Sequence, residues 1–291
     1  MNMAHLLAIE TGGTKIIARL SDAAGTEIAR GRWPTTTPEA AVAAIATMVG
    51  DRTIAGAGLA AFGPLIVDPA AADCGRMLAT PKPGWSGSNV RAMLAERLGC
   101  PVAVDTDVNA AAVAEQASGA GRGCTSVAYL TVGTGIGAGL ALHGRALVGA
   151  LHPEVGHLRL GRLPGDTAAS ACPFHPDCAE GLAAGPAVAR RLDGRATLAD
   201  APEVRAVVAH YLGQLLAVLV MMWSPQRIVV GGGVASTPGL IAAARTAMVG
   251  EIGGYGVGPA ALAPDFVVPA ALTDAGLEGA LLLARRAAGA S

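Results

Sequence analysis

The sequence predicts an α/β chain made of two similar lobes, and three observations carry that expectation. Residues 1–118 open with three strand patterns and continue with helices alternating with strands. The strand and turn of Ile9-Glu10-Thr11-Gly12-Gly13-Thr14 are then echoed by Ser126 to Val132, the turn Gly133-Thr134-Gly135 and a strand from Ile136 to Leu142. An insertion rich in His and Cys separates that second hairpin from a further helix–strand–helix series.

Taken in order, Leu6 to Glu10 reads as a strand ending in the polar turn Thr11 to Lys15, followed by strands over Ile16–Leu20 and Glu27–Trp33. Thr37-Pro38-Glu39 opens an alanine-rich helix to about Val49, with proline in its first turn. Ile54 to Phe62 is a buried strand broken by Gly63-Pro64. Ser88–Leu98 is a helix, Val102–Asp105 a short strand and Asp107–Ala117 a helix. In the second half, Pro202–Trp223 is a long helix, Arg227–Val230 a buried strand and Gly231-Gly232-Gly233 a turn. Pro238–Ile252 is a helix, Gly253–Pro264 a loop, and Ala275–Ala287 the closing helix.

A chain of 291 residues is comfortable for two domains. Its net charge of −1 suggests neither a nucleic-acid nor a membrane surface. The first residues lack a basic segment leading into an apolar one, so no signal peptide is expected. The longest apolar run, Leu215–Trp223, is too short to span a bilayer. Five cysteines make no disulfide framework here. The expectation is a soluble cytoplasmic protein. Arginine supplies nearly all the positive charge, and the only lysines, Lys15 and Lys82, both sit beside glycine or proline turns.

The most specific stretch runs from His152-Pro153-Glu154-Val155-Gly156-His157 to Cys172-Pro173-Phe174-His175-Pro176-Asp177-Cys178. The C-x2-H-x2-C spacing brings three side chains onto one ion, and His157 supplies a fourth. Four protein ligands leave no open position, which reads as a structural Zn²⁺. The plainer alternative is two buried free cysteines beside loop histidines. Glu154 and Glu180 flank this segment. Fixed by a metal, they would make oriented acceptors for sugar hydroxyls, and otherwise they are solvated surface acids.

Three glycine turns end strands: Gly12-Gly13, Gly133-Thr134-Gly135 and Gly231-Gly232-Gly233. Glycine lets backbone N–H groups approach phosphate, and Thr11, Thr14 and Thr134 add hydroxyls. Any one turn is explained by conformation alone, but three in a duplicated framework read as a nucleotide site. None fits a P-loop or a Rossmann fingerprint. In Asp105-Thr106-Asp107-Val108-Asn109 a strand ends and a helix begins. The positive helix end favours an ionised carboxylate suited to act as a base. The alternative is that Asp105 or Asp107 merely caps the helix.

These residues carry a resemblance. Ile9–Lys15, Asp105–Ala112, Thr131–Gly137 and His152–His157 resemble the ROK family of sugar kinases. Thr80-Pro81-Lys82-Pro83-Gly84-Trp85 and Cys172–Pro186 resemble the bacterial fructokinases within it. The resemblance implies a duplicated actin-like, ribonuclease-H-type fold with sugar and ATP in an interdomain cleft. Its N-terminal lobe would be 1–118, with 275–288 packing back on it, and its C-terminal lobe 119–274, carrying the zinc loop. It implies ATP-dependent phosphorylation of D-fructose to fructose 6-phosphate with Asp107 as general base. Glu154, His157, Glu180 and Asn109 would contact the sugar. Glu10, Thr11, Gly12, Gly13, Thr14, Lys15, Thr134, Gly135, Gly231, Gly232 and Gly233 would serve Mg²⁺ and ATP. His157, Cys172, His175 and Cys178 would hold the zinc, and a homodimer is expected. Glu10 stands where many members have Asp, and Thr106 where aldohexose kinases usually have a sugar-binding Asn. The lost amide at Thr106 is read as weakening aldohexose recognition. A glucokinase, mannokinase or broad hexokinase would share this framework. A non-catalytic ROK sugar sensor is disfavoured, because the first strand starts too early to leave room for an N-terminal helix-turn-helix.

Overall fold

The computed structural model describes residues 5–257 and 259–289. The chain runs β1 (His5–Thr11), β2 (Lys15–Ser21), β3 (Glu27–Pro34), α1 (Pro38–Val49), β4 (Ile54–Ala61), α2 (Val90–Leu98), β5 (Val102–Thr106) and α3 (Asp107–Ser118). It continues β6 (Ser126–Val132), β7 (Ile136–Leu142), β8 (Arg145–Ala146), α4 (Ala179–Ala183), α5 (Gly185–Leu192), α6 (Pro202–Trp223) and β9 (Arg227–Gly231). It ends α7 (Leu240–Ile252), α8 (Pro259–Leu262), β10 (Val267–Pro269) and α9 (Ala275–Ala287).

Among the described residues these strands form two five-stranded sheets, ordered β3-β2-β1-β4-β5 and β10-β9-β6-β7-β8. In each, an antiparallel hairpin (β1–β2, β6–β7) pairs in parallel with a later strand (β4, β9), which pairs in parallel with the last (β5, β10). The same topology occurs twice, as the echoed turns predict.

Two compact units result. Residues 5–114, 146–152 and 272–289 form one, and 115–145 with 153–271 the other. The division falls inside α3, and the short segment 146–152 goes with the first unit, where Leu65 N donates to His152 Nε2 at 3.1 Å.

In the first unit β1 is buried on both faces. Leu7 and Ile9 join Ile16, Leu20, Ile45, Leu59 and Leu94 on the side of α1 and α2, whereas Leu6 and Ala8 join Leu277, Ala280, Leu281 and Ala284 of α9. Local caps define the helices: the Thr37 hydroxyl accepts from Ala40 N, Asn89 Oδ1 accepts from Ala92 N, and Gly99 closes α2 in the left-handed region. Arg19 makes a bidentate pair with Glu278, at 2.6 and 2.9 Å, and Arg30 pairs with Asp274, so charge also ties α9 to the hairpin. The helix lies directly on β4: a Cβ at Gly58 would overlap the Ala280 carbonyl oxygen and the Ala284 nitrogen. Backbone cannot yield as a flexible side chain does. Gly58→Ala is therefore expected to cost about 1–3 kcal/mol, read as a lower unfolding midpoint. An unchanged midpoint would mean that α9 lifts from β4 without cost.

The second unit is built around α6, whose Val208, Tyr211, Leu212, Leu215 and Leu219 are buried against β6, β9, α4 and α7. At 22 residues α6 is apolar and long enough to cross a bilayer, but this burial marks it as a core helix. Several short elements differ from the sequence expectation: α4 and α5 after the cysteine loop, strands β8 and β10, and the α8 turn within the expected loop. Elements this short carry too little periodicity to be read from pattern. The start of α4 is also hidden because its N-cap is a thiol, Cys178 Sγ accepting from Gly181 N at 3.3 Å.

Candidate functional site

A β-bridge between Arg159 and Cys178, with Leu160 N on Asp177 O and Ala179 N on Leu158 O, lays the chain after His157 beside the end of the cysteine loop. His157, Cys172, His175 and Cys178 consequently present their ligand atoms within 4.8 Å of one another. Cys172 Sγ lies 3.8 Å from His157 Nδ1 and 3.7 Å from His175 Nδ1, and Cys178 Sγ lies 3.9 Å from His157 Nδ1. A tetrahedron with bonds of roughly 2.0–2.3 Å has edges of about this length, so the donor set fits zinc. Burial pushes the Cys178 thiol up to about 11, and the adjacent Cys172 adds to the rise. Paired thiolates in such a place need a cation to hold them ionised. Behind the loop, Asp166 accepts from both terminal nitrogens of Arg191 and from the Tyr211 hydroxyl. The guanidinium beside it holds its carboxyl well below the usual range. This anchor of the insertion on α5 and α6 left no sign in the spacing.

The two glutamates differ. Glu154 is exposed at the start of the 3₁₀ turn Val155–His157. Glu180, in the first turn of α4, accepts the Ile136 N–H on Oε2 at 3.1 Å, beside Gly135. Gly156 packs against the Ile136 carbonyl. The histidine turn, α4 and the second glycine turn thus meet at one residue, which the sequence reading had not anticipated.

Within the second unit the second and third glycine turns adjoin, a Cβ at Gly133 lying 3.8 Å from Gly233 N. The helix α5 begins there, with Gly185 N donating to Gly133 O at 2.7 Å. Gly232 has φ +98° and sits on the Val132 backbone, so only glycine fits. Thr134 and Gly233 are exposed.

The first turn, in the first unit, is tightly held. Gly12 N donates to Lys15 O, Thr35 Oγ1 to Gly12 O, Thr35 N to Thr14 O, and Lys82 Nζ to Gly13 O at 2.9 Å. Gly13, Thr14 and Lys15 are exposed. Thr11 is not: it is fully buried and its hydroxyl has no partner among the described residues. Glu10 lies against Gly276 and accepts from the Leu277 N–H at the start of α9. Burial pushes its carboxyl up, and the Lys15 ammonium opposes that rise. A carboxylate at the end of β1, with Asp274 nearby, suits a hydrated hard cation such as Mg²⁺.

At the β5–α3 junction the N-cap is neither aspartate. Thr106 Oγ1 accepts from Asn109 N at 3.1 Å and is 2% exposed. Its hydroxyl serves the start of the helix. Asp105 Oδ1 accepts from Thr106 N and from Asn109 Nδ2, at 2.8 and 2.7 Å. Burial pushes its carboxyl up. Asn109 is fully buried, and its Nδ2 donates to Asp105 as a brace within the junction, while its Oδ1 has no partner among the described residues. Asp107, half-buried in the first turn of α3, accepts from Val108 N at 2.9 Å. Its carboxylate therefore sits at the positive helix end that stabilises the ionised form.

A model of the ROK family matches residues 6–287. The chain belongs to the ROK family. A fructokinase of Pediococcus pentosaceus is 36% identical over 283 residues, covering 96% of this chain and 97% of its own length. A fructokinase of Zymomonas mobilis is 38% identical over 287 residues, 95% of each. The crystal structure of a ROK hexokinase from Thermus thermophilus superposes with a TM-score of 0.75 at 32% identity, over 97% of this chain and 98% of that one. The duplicated sheets are thus those of the actin-like fold expected for a ROK protein. One residue of this ROK protein that the sequence singles out without giving it a role is Lys82. Its signals were composition, one of two lysines in an arginine-rich chain, and the Thr80–Trp85 motif, and the contact with Gly13 gives it a place.

Proposed function

We propose that this ROK sugar kinase transfers the terminal phosphoryl group of ATP to the 6-hydroxyl of D-fructose, giving fructose 6-phosphate and ADP. The observation that carries the sugar assignment is the near-full-length similarity to two fructokinases, at 36% and 38% identity. In this reading Asp107 accepts the 6-hydroxyl proton as that oxygen attacks phosphorus in line. Glu154, His157 and Glu180 orient the ring through its other hydroxyls. The N–H groups of the glycine turns donate to the phosphates, and Glu10 holds a water of the Mg²⁺ that accompanies ATP. Bound Mg²⁺ supplies neutralisation of phosphate charge. The Cys/His quartet holds zinc as a brace, outside the reaction.

The test is a coupled kinase assay over a panel of hexoses. Fructose is expected to exceed glucose by at least about tenfold in kcat/KM, the discrimination that one hydrogen bond of roughly 1.4 kcal/mol supplies. Mannose is expected to rank second. A panel in which glucose matched or exceeded fructose would overturn the sugar assignment and leave a ROK hexokinase. No phosphorylation of any hexose would overturn the kinase reading itself.

A further inference from the structure

We infer that Lys82 is a phosphate-contacting residue, delivering a positive charge to the terminal phosphoryl group at the Gly12–Gly13 turn. The inference deepens the kinase reading above and rests on it for the identity of the anion.

The loop that carries Lys82 is built to place it. Trp85 is 1% exposed, donates Nε1 to Thr36 O at 2.8 Å and packs on Phe62 with ring centroids 4.8 Å apart. Trp85 N returns to Lys82 O, closing a turn. At the base of the loop, Thr80 N donates to Ser86 Oγ, which donates back to Thr80 O, both at 3.0 Å. Prolines 81 and 83 on either side of the lysine restrict the backbone further. Little of this rigidity is needed for a solvated surface lysine, which ordinarily keeps its chain entropy.

What the ammonium meets is equally specific. Among the described residues its hydrogen-bond partner is the neutral Gly13 carbonyl, 69 positions away in the chain, and not a carboxylate. An ammonium on a single carbonyl uses one of its three N–H donors and leaves the others, with the charge, to a further acceptor. Gly13 is open on its Cβ side, where nothing lies within 4 Å. The charge of Lys15 acts on the buried Glu10 carboxyl, so Lys82 is the lysine whose charge is left for an incoming anion. A point charge held beside a glycine turn is a recurrent way to bind the phosphate that moves.

The test compares Lys82→Met, Lys82→Gln and Lys82→Arg, each first checked for an unchanged melting temperature. Equilibrium binding of ADP and of a non-hydrolysable ATP analogue is measured by calorimetry with Mg²⁺ present, alongside kcat with ATP and fructose. Lys82→Met and Lys82→Gln are expected to lose about 10²–10³-fold in kcat, the usual cost of one preorganised donor at the reacting group. Both should lose at least about tenfold in affinity for the ATP analogue and less than about twofold for ADP, since the contact is to the terminal phosphate. Lys82→Arg should recover most of both. Glutamine keeps a donor for Gly13 O without the charge. If Lys82→Gln matched the parent, or if ADP and the analogue weakened equally, Lys82 would be a brace of the turn and the inference would be overturned. A parent protein that binds both nucleotides unequally but phosphorylates no hexose overturns the sugar-kinase reading, while the analogue-against-ADP comparison still decides Lys82.

Discussion

Asp107→Asn is expected to lower kcat by roughly 10²–10⁴-fold, the range for loss of a positioned general base. The substitution is nearly isosteric. The amide oxygen can still accept from Val108 N, and Thr106 still caps α3, so the helix start should survive. Nucleotide affinity should change little, and the loss should appear in kcat more than in KM for the sugar. The neighbouring carboxylate provides the contrast. Asp105 braces Asn109 and the Thr106 N–H from a buried position, so its replacement should show first as lost stability. Steady-state kinetics beside thermal unfolding separates the two. An Asp107→Asn enzyme with near-parent kcat would reduce Asp107 to part of a helix end.

The second large effect concerns the Cys/His quartet. Purified protein is expected to contain about one zinc per chain, measured by elemental analysis. Stripping it with a chelator, or substituting Cys172→Ser, should lower the melting temperature sharply. Zinc held by such sites contributes on the order of 10 kcal/mol at neutral pH, comparable with the stability of a whole domain. Sugar affinity should fall with it, for a reason visible in the contacts. Cys178 caps α4, α4 carries Glu180, and Glu180 holds Ile136 at the second glycine turn. His157 ends the 3₁₀ turn that Glu154 begins. Loosening the ligands therefore loosens both proposed sugar carboxylates. Activity should still require added Mg²⁺. Metal-free protein with parent melting temperature and activity would remove the zinc from the account, and a zinc whose bound water exchanges with substrate would make it catalytic.

Some of this chemistry was legible in the residues. C-x2-H-x2-C is a local geometry, and the four ligand side chains do come together. Glycine turns at strand ends were equally legible, because the change from alternating apolar residues to glycine and threonine marks the strand's end. The capping role of Thr106 was not legible, for a physical reason. Its hydroxyl is bound to an N–H three residues on, and spacing does not reveal whether such a side chain turns to its own helix or outward. The Asn109 Nδ2 contact with Asp105 is equally invisible to spacing. Thr11 lies within a motif that reads as a phosphate turn, and the structure adds that its side chain is fully buried, which a strand covered on both faces does not reveal in its pattern.

By itself the sequence determined the class of the molecule: the repeated strand–turn–strand pattern, the ligand quartet and an acidic helix start at Asp107 are all written within short windows. Tertiary structure alone decided the rest. It set α9 on β4 through Gly58, put Glu10 under the first turn of that helix, tied Glu180 to Ile136 and brought Lys82 onto Gly13. Each of these joins residues tens to hundreds of positions apart. Such contacts depend on strand register and on which faces pack, and period, composition and local hydrogen bonding leave both open.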